Sequence, residues 1–195
     1  MTTKQFNELS KDKKAVLVTQ DVLAQIEANK YVPNTGAYVR FEEKISFEGD
    51  IKSNFDKLPQ CRVCALGSML LSCTNLGNVL TTDIISNDRI GHYELQDDGV
   101  KELFNSIFSD KQLLMIETSF EGYSEWECWT VSEIKKHSKP FFNYCEDADR
   151  YADDETLSFE ETLACQKVFL KYEDHQERLE AICNNIIKNS GVFIP

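Results

Sequence analysis

Cysteine and histidine are the residues of this chain best suited to chemistry, and one pair is spaced for it. Cys61-Arg62-Val63-Cys64 is its Cys-x-x-Cys pair. Ribbon- or finger-type zinc sites need a second pair at suitable spacing, and none is present. Cys73 comes nine residues after Cys64, which at ~100° per residue turns it to the opposite face of a helix. Cys128, His137 and Cys145 would have to be gathered by folding, so no metal site is assigned. A nucleophile is the other chemistry open to the pair. If the helix that follows begins near Pro59, Cys61 lies in its first turn, where the helix dipole and Arg62 favour a thiolate. His92, in Ile90-Gly91-His92-Tyr93-Glu94, follows in the order of papain-like folds and would serve as the base. Cys61, Cys64 and His92 are therefore the catalytic candidates. The competing reading makes Cys61 and Cys64 small core residues, with Cys64-Ala65-Leu66-Gly67 packing closely against another element.

The segment Cys145–Glu155, CEDADRYADDE, has the carboxylates of a calcium loop but not its register. Counted from Asp147, position five is Tyr151, position six is Ala152 where glycine is needed, and position twelve is Ser158 where a bidentate glutamate belongs. It reads as a solvated acidic loop or as a surface for a basic partner. Trp126 and Trp129, the chain's two tryptophans, stand just before it among acidic residues, where aromatic anchors of interfaces occur; finishing a core is their other role. The candidate partner-binding set is Trp126, Trp129, Asp147, Asp149, Asp153, Asp154 and Glu155. There is no phosphate-cradling glycine loop, Gly-x-Ser-x-Gly elbow or His-Glu-x-x-His helix, and no cofactor is expected.

The net charge of −12 is uneven. Through Asp98 there are 14 acids against 11 Lys and Arg; beyond it, 19 against 10. Such a balance repels phosphate backbones, so direct nucleic-acid binding is not expected. It favours solubility or a basic protein partner. No apolar run approaches the roughly 18 residues of a membrane span, and MTTKQFNELSKDKK lacks the apolar core of a secretory signal. Seven cysteines, an odd number, then read as reduced thiols, and the expected location is the cytoplasm.

These residues must be positioned by one domain of 195 residues, its first ~14 loosely held. Ala15–Val18 reads as a short strand, with Thr19 capping a helix through Ile26. Pro33-Asn34-Thr35-Gly36 reads as a turn before a strand in which Ala37, Val39 and Phe41 share a face. Residues 42–57 read as loop, with a strand near Ile45–Phe47. A helix is expected from about Pro59 to Thr74, ended by Asn75 and Gly77, with Gly67 and Ser68 admitting a close neighbour. Residues 79–96 read as loop or short helix. Residues 98–108 form an amphipathic helix, and Ser109 caps another through Phe120 that turns Leu113, Leu114, Ile116 and Phe120 inward. Residues 122–142 are aromatic and irregular, and Pro140 excludes a continuous helix. Ser158 and Glu161 make a capping box for a helix to Tyr172. Glu177–Asn189 closes the chain with a stripe of Leu179, Ile182, Cys183, Ile186 and Ile187, and Gly191 suits a left-handed cap. The fold class is a helix-dominated α+β domain with a small β-sheet.

Four segments taken together resemble a family of small, uncharacterised bacterial and bacteriophage proteins. They are Val16–Ile26 with Thr35–Val39, Val63–Gly67, Phe108–Glu121 and Arg178–Pro195. The resemblance implies a compact intracellular domain and carries no activity, cofactor or catalytic residue. The leading expectation is a non-enzymatic accessory protein of phage or mobile-element type that offers an acidic, aromatic-bearing surface to a host or phage protein. A cysteine enzyme using Cys61 or Cys64 with His92, and a structural or virion-associated component, are the alternatives; the oligomeric state is open.

Overall fold

The structure is a computed structural model and describes residues 2–36, 38–77, 80–85, 89–90, 98–123, 129–139 and 157–195. Two helices open the chain, α1 (Thr3–Asn7) and α2 (Lys11–Glu27). The short strands β1 (Tyr31–Pro33), β2 (Val39–Phe41), β3 (Cys61–Val63) and β4 (Arg89–Ile90) form one mixed sheet in the order β1-β3-β2-β4. A 3-10 segment, Lys52–Lys57, precedes β3, and α3 (Ala65–Leu76) follows it directly. The C-terminal half holds α4 (Asp98–Asn105), α5 (Asp110–Glu121), a short α6 (Val131–Glu133) that runs into a π-helical turn at Ile134–Ser138, α7 (Phe159–Lys171) and α8 (His175–Lys188). The chain is thus a helix-dominated α+β protein with a small four-stranded mixed sheet.

The periodicity of α2 explains the first departure from expectation. Ala15, Val18, Val22 and Ile26 are buried at spacings of three and four, so the apolar run at Ala15–Val18 is helix, not strand. Thr19 is not a cap. Its hydroxyl lies inside the helix and donates to Ala15 O and Val16 O, both at 2.9 Å. The first residues are also packed: α1 carries a capping box at Thr2 and Gln5, and Phe6 is buried against the core. Gly77, the C-cap of α3, leaves room for that ring, since a Cβ there would lie 2.0 Å from Phe6 Cδ1.

The second departure concerns Cys61. Residues 61–63 are the central strand, parallel to β1 (Tyr31 opposite Cys61) and antiparallel to β2 (Val39 opposite Val63). With both edges paired, they cannot begin the helix, which starts only at Ala65. Ile45–Phe47 lies in irregular chain, and α4 stops at Asn105, with Ile107 and Phe108 reaching the core from the turn beyond. Leu114 is exposed, not inward as the stripe suggested.

Helix α2 packs on α3 and α8, while α5 packs on α7, α3 and α8. One main cluster of buried side chains joins these helices to the sheet; Ile134, Phe159 and Leu163 form a second, smaller one. In α8, Leu179, Ile182, Cys183 and Ile186 are fully buried, as the stripe predicts, while Ile187 is only half-buried, and Asp174 caps the helix by accepting from Gln176 N and Glu177 N. Gly191 has a φ of 103° and closes the helix with Gly191 N donating to Ile186 O at 2.8 Å. The side chains of Gln112 on α5 and Asn185 on α8 then hold the residues that follow: each carboxamide makes a reciprocal pair of hydrogen bonds with one backbone residue of the tail, Gln112 with Phe193 and Asn185 with Ile194.

Candidate functional site

Tyr38, Cys64 to Gly67 and Glu117, distant in sequence, meet at the start of α3. Gly67 sits there with no room for a side chain: a Cβ would lie 1.6 Å from Tyr38 O. The close approach lets Cys64 N donate to Tyr38 O at 3.1 Å, so the loop before β2 is laid across the N-terminus of α3. Cys64 is the N-cap, and its sulfur accepts from Gly67 N at 3.4 Å.

Helix α5 meets this loop with two carboxylates one turn apart. Tyr38 Oη donates to Glu117 Oε1 at 2.7 Å. Glu121 accepts from the backbone N–H of Gly36. Both carboxylates and the phenol are half-buried. Burial is the main cause that raises the Glu121 carboxyl to about 7, and the neighbouring charge of Glu117 adds to it; the Gly36 N–H and the Arg178 charge work the other way. Burial also pushes the Tyr38 phenol well above its ordinary value, and donation to Glu117 adds to this by favouring the neutral form. At neutral pH the cluster therefore holds a neutral phenol and a carboxyl group near its midpoint.

Arg178 backs the cluster from α8. It is buried, and its guanidinium is used up on carbonyls at two helix ends: Nη1 donates to Phe120 O at 2.8 Å, and Nε and Nη2 donate to Tyr172 O at 3.0 and 2.5 Å. It also stacks on Phe169, with Cζ 4.2 Å from the ring centre. Orphan carbonyls at the ends of α5 and α7 thus receive a charged donor. The arrangement can take up and release one proton near neutrality in a fixed setting.

The expected site residues fare unequally. Cys61 and Cys64 are both buried. Burial pushes the Cys61 thiol up to about 12, against the pull of the Lys30 charge, and the Cys64 thiol further still. The thiolate expected of a helix-first-turn Cys61 does not arise, because Cys61 is in β3 and its thiol points to Lys30 O at 3.8 Å. Cys73, Cys165 and Cys183 are buried as well. Trp129 is exposed, with its ring edge-on to His137 at 6.1 Å between centres. Lys135, Lys136 and Lys139 flank that histidine in sequence, a locally basic turn. His92, Trp126, Cys128, Cys145, Asp147, Asp149, Asp153, Asp154 and Glu155 lie outside the described residues. Glu117 and Glu121 were within reach of sequence reasoning: two like charges at i and i+4 on an amphipathic helix are unfavourable unless something separates or protonates them. No protein-family model matches this chain, and no curated protein or solved structure matches it.

Proposed function

We propose that this chain is a non-enzymatic interaction protein, an accessory factor of phage or mobile-element type that binds a basic surface on a host or phage protein. The observation that carries this reading is the charge of the C-terminal half, 19 acids against 10 Lys and Arg. An imbalance of that size steers a basic partner and discourages a polyanionic one. The surface would be built from Trp126, Trp129 and the carboxylates Asp147, Asp149, Asp153, Asp154 and Glu155, with Trp129 as the exposed aromatic anchor. The burial of Cys61 and Cys64 speaks against the cysteine-enzyme reading, since a nucleophilic thiol needs access and a lowered pKa.

The test is charge reversal. A chain in which Asp147, Asp149, Asp153, Asp154 and Glu155 are replaced by Lys should lose partner capture by about tenfold or more at physiological salt, through a slower on-rate. Wild-type capture should weaken steeply as salt rises. Unchanged capture by the reversed chain removes the reading.

A further inference from the structure

The exposed face of the sheet carries a row of arginines. Arg62 on β3 stands opposite Arg40 on β2, and Arg40 stands opposite Arg89 on β4. All three are exposed, while the residues that alternate with them, Cys61, Val63, Val39, Phe41 and Ile90, are buried. The buried set fixes the register, since a slip of one residue would turn it outward. Residues paired in this way hold their Cβ atoms about 5 Å apart, so the row crosses the strands over roughly 10 Å. Three of the chain's five arginines lie in it.

Like charges directly opposite one another on a sheet cost stability. Protection of an edge strand accounts for Arg89 alone; Arg40 and Arg62 stand on the two inner strands, which are paired on both sides. Arg62 shows what the row takes. Its Nε donates to Glu42 Oε1 at 2.6 Å, with both side chains about half exposed. Among the described residues Arg40 and Arg89 have no such acid. A guanidinium is a planar fork that grips a carboxylate through two parallel hydrogen bonds, so two forks stand side by side beside one already filled. Other anions fit less well. A sheet face covers a small molecule on one side only, unlike a cleft. The strand residues of this face, Val32, Arg62, Arg40 and Arg89, include no aromatic on which bases would stack. A long polyanion runs past the row and meets the net charge of −12. Screening limits the reach of the row to about 8 Å at physiological salt, close to its own length, which suits a short run of carboxylates.

We propose that the row of Arg62, Arg40 and Arg89 is a docking surface for an acidic segment of a partner protein, an extended stretch with Asp or Glu at alternate positions. Alternate side chains of an extended chain share a face at roughly 6.6–6.8 Å, within reach of long arginine side chains rooted about 5 Å apart. The partner's carboxylates pair with Arg40 and Arg89, and Glu42 competes for Arg62 as the chain's own stand-in for them. None of these residues belongs to the acidic C-terminal surface, so the two readings stand or fall separately.

The probe is a synthetic peptide of alternating Glu and Ser, about ten residues long so that its carboxylates outspan the row, titrated into the full chain at low salt while the arginine Nε–Hε signals are followed by NMR. The signals of Arg40 and Arg89 should move with a Kd of about 1 mM, and that of the buried Arg178 should stay in place. The double variant Arg40→Gln, Arg89→Gln should bind about tenfold more weakly and be no less stable in urea, because it removes facing like charges. Glu42→Gln frees Arg62 and should tighten binding about threefold; this variant keeps all three arginines and decides the matter if the double variant does not fold. No movement at Arg40 and Arg89, equal binding by the double variant, or no gain from Glu42→Gln overturns the surface. Tighter binding of a thymidine oligonucleotide of the same length than of the peptide, at the same salt, overturns the acidic segment as the occupant and makes it a nucleic acid.

Discussion

Glu121 shows at single-residue resolution how this fold handles charge. Its carboxyl titrates near 7, held up by burial and by Glu117, against an ordinary value of 4.5. The folded chain therefore binds the proton more tightly than the unfolded one. That contribution to stability is complete below about 4.5 and is lost as pH rises through 7. The full shift corresponds to roughly 3 kcal/mol, and solvent screening at a half-buried site reduces it to about 1–2 kcal/mol. Glu121→Gln keeps an acceptor for the Gly36 N–H without the charge. It should be more stable than wild type by about that amount at pH 8 and no more stable at pH 4, as read by urea unfolding. The cysteines give a second prediction. The five described thiols, Cys61, Cys64, Cys73, Cys165 and Cys183, are buried, and burial raises the pKa of each. Alkylation of these five at pH 8 should run about 100-fold slower in the native protein than in urea; mass mapping of the sites checks it. One fast site among them would restore a thiol chemistry to the chain.

At the scale of elements, the contacts that lock the start of α3 and the core face of α8 should dominate stability. Gly67→Ala sets a methyl against a backbone carbonyl that cannot swing aside. A loss of about 3–5 kcal/mol is expected in equilibrium denaturation, with the loop at 34–38 the first to lose exchange protection. Ile186→Ala should cost about 2–5 kcal/mol, because Ile186 is fully buried on the inner stripe of α8; a change near zero would mean that this stripe is not core. Several of these elements were legible beforehand. The caps at Ser109 and at Ser158 with Glu161, the stripe of α8 and the left-handed Gly191 all rest on contacts within one or two turns of chain, which sequence spacing reports directly. Gly67 was legible as a close approach, though not which residue approaches. The start of α3 was misplaced by about six residues because pairing with β1 and β2, from 20 to 30 residues away, claims Cys61–Val63 for the sheet. The strand at Ala15–Val18 failed for the opposite reason: a β-branched run was overruled by its place on a long buried helix face. The candidate site was the least legible part. Tyr38 to Glu117 spans 79 positions, and no local period encodes such a meeting.

Taken whole, the sequence places its anionic excess in the half that also carries the exposed Trp129. The apolar architecture leaves no helix among the described residues long and apolar enough to cross a membrane. The sheet adds a constraint of another kind, one of time. Its central strand, β3, comes third in the chain and parts two strands made before it, which never pair with each other. No tight hairpin can therefore seed the sheet, since the antiparallel neighbours β2 and β3 are separated by residues 42–60. While the chain is being synthesised, β1 and β2 must wait with unpaired backbones until Val63 has appeared, and α2 gains the second of its helix partners only with α8. A nascent chain halted between Phe41 and Cys61 should accordingly remain open to proteases and chaperones, whereas one that has passed α8 should close in a single concerted event.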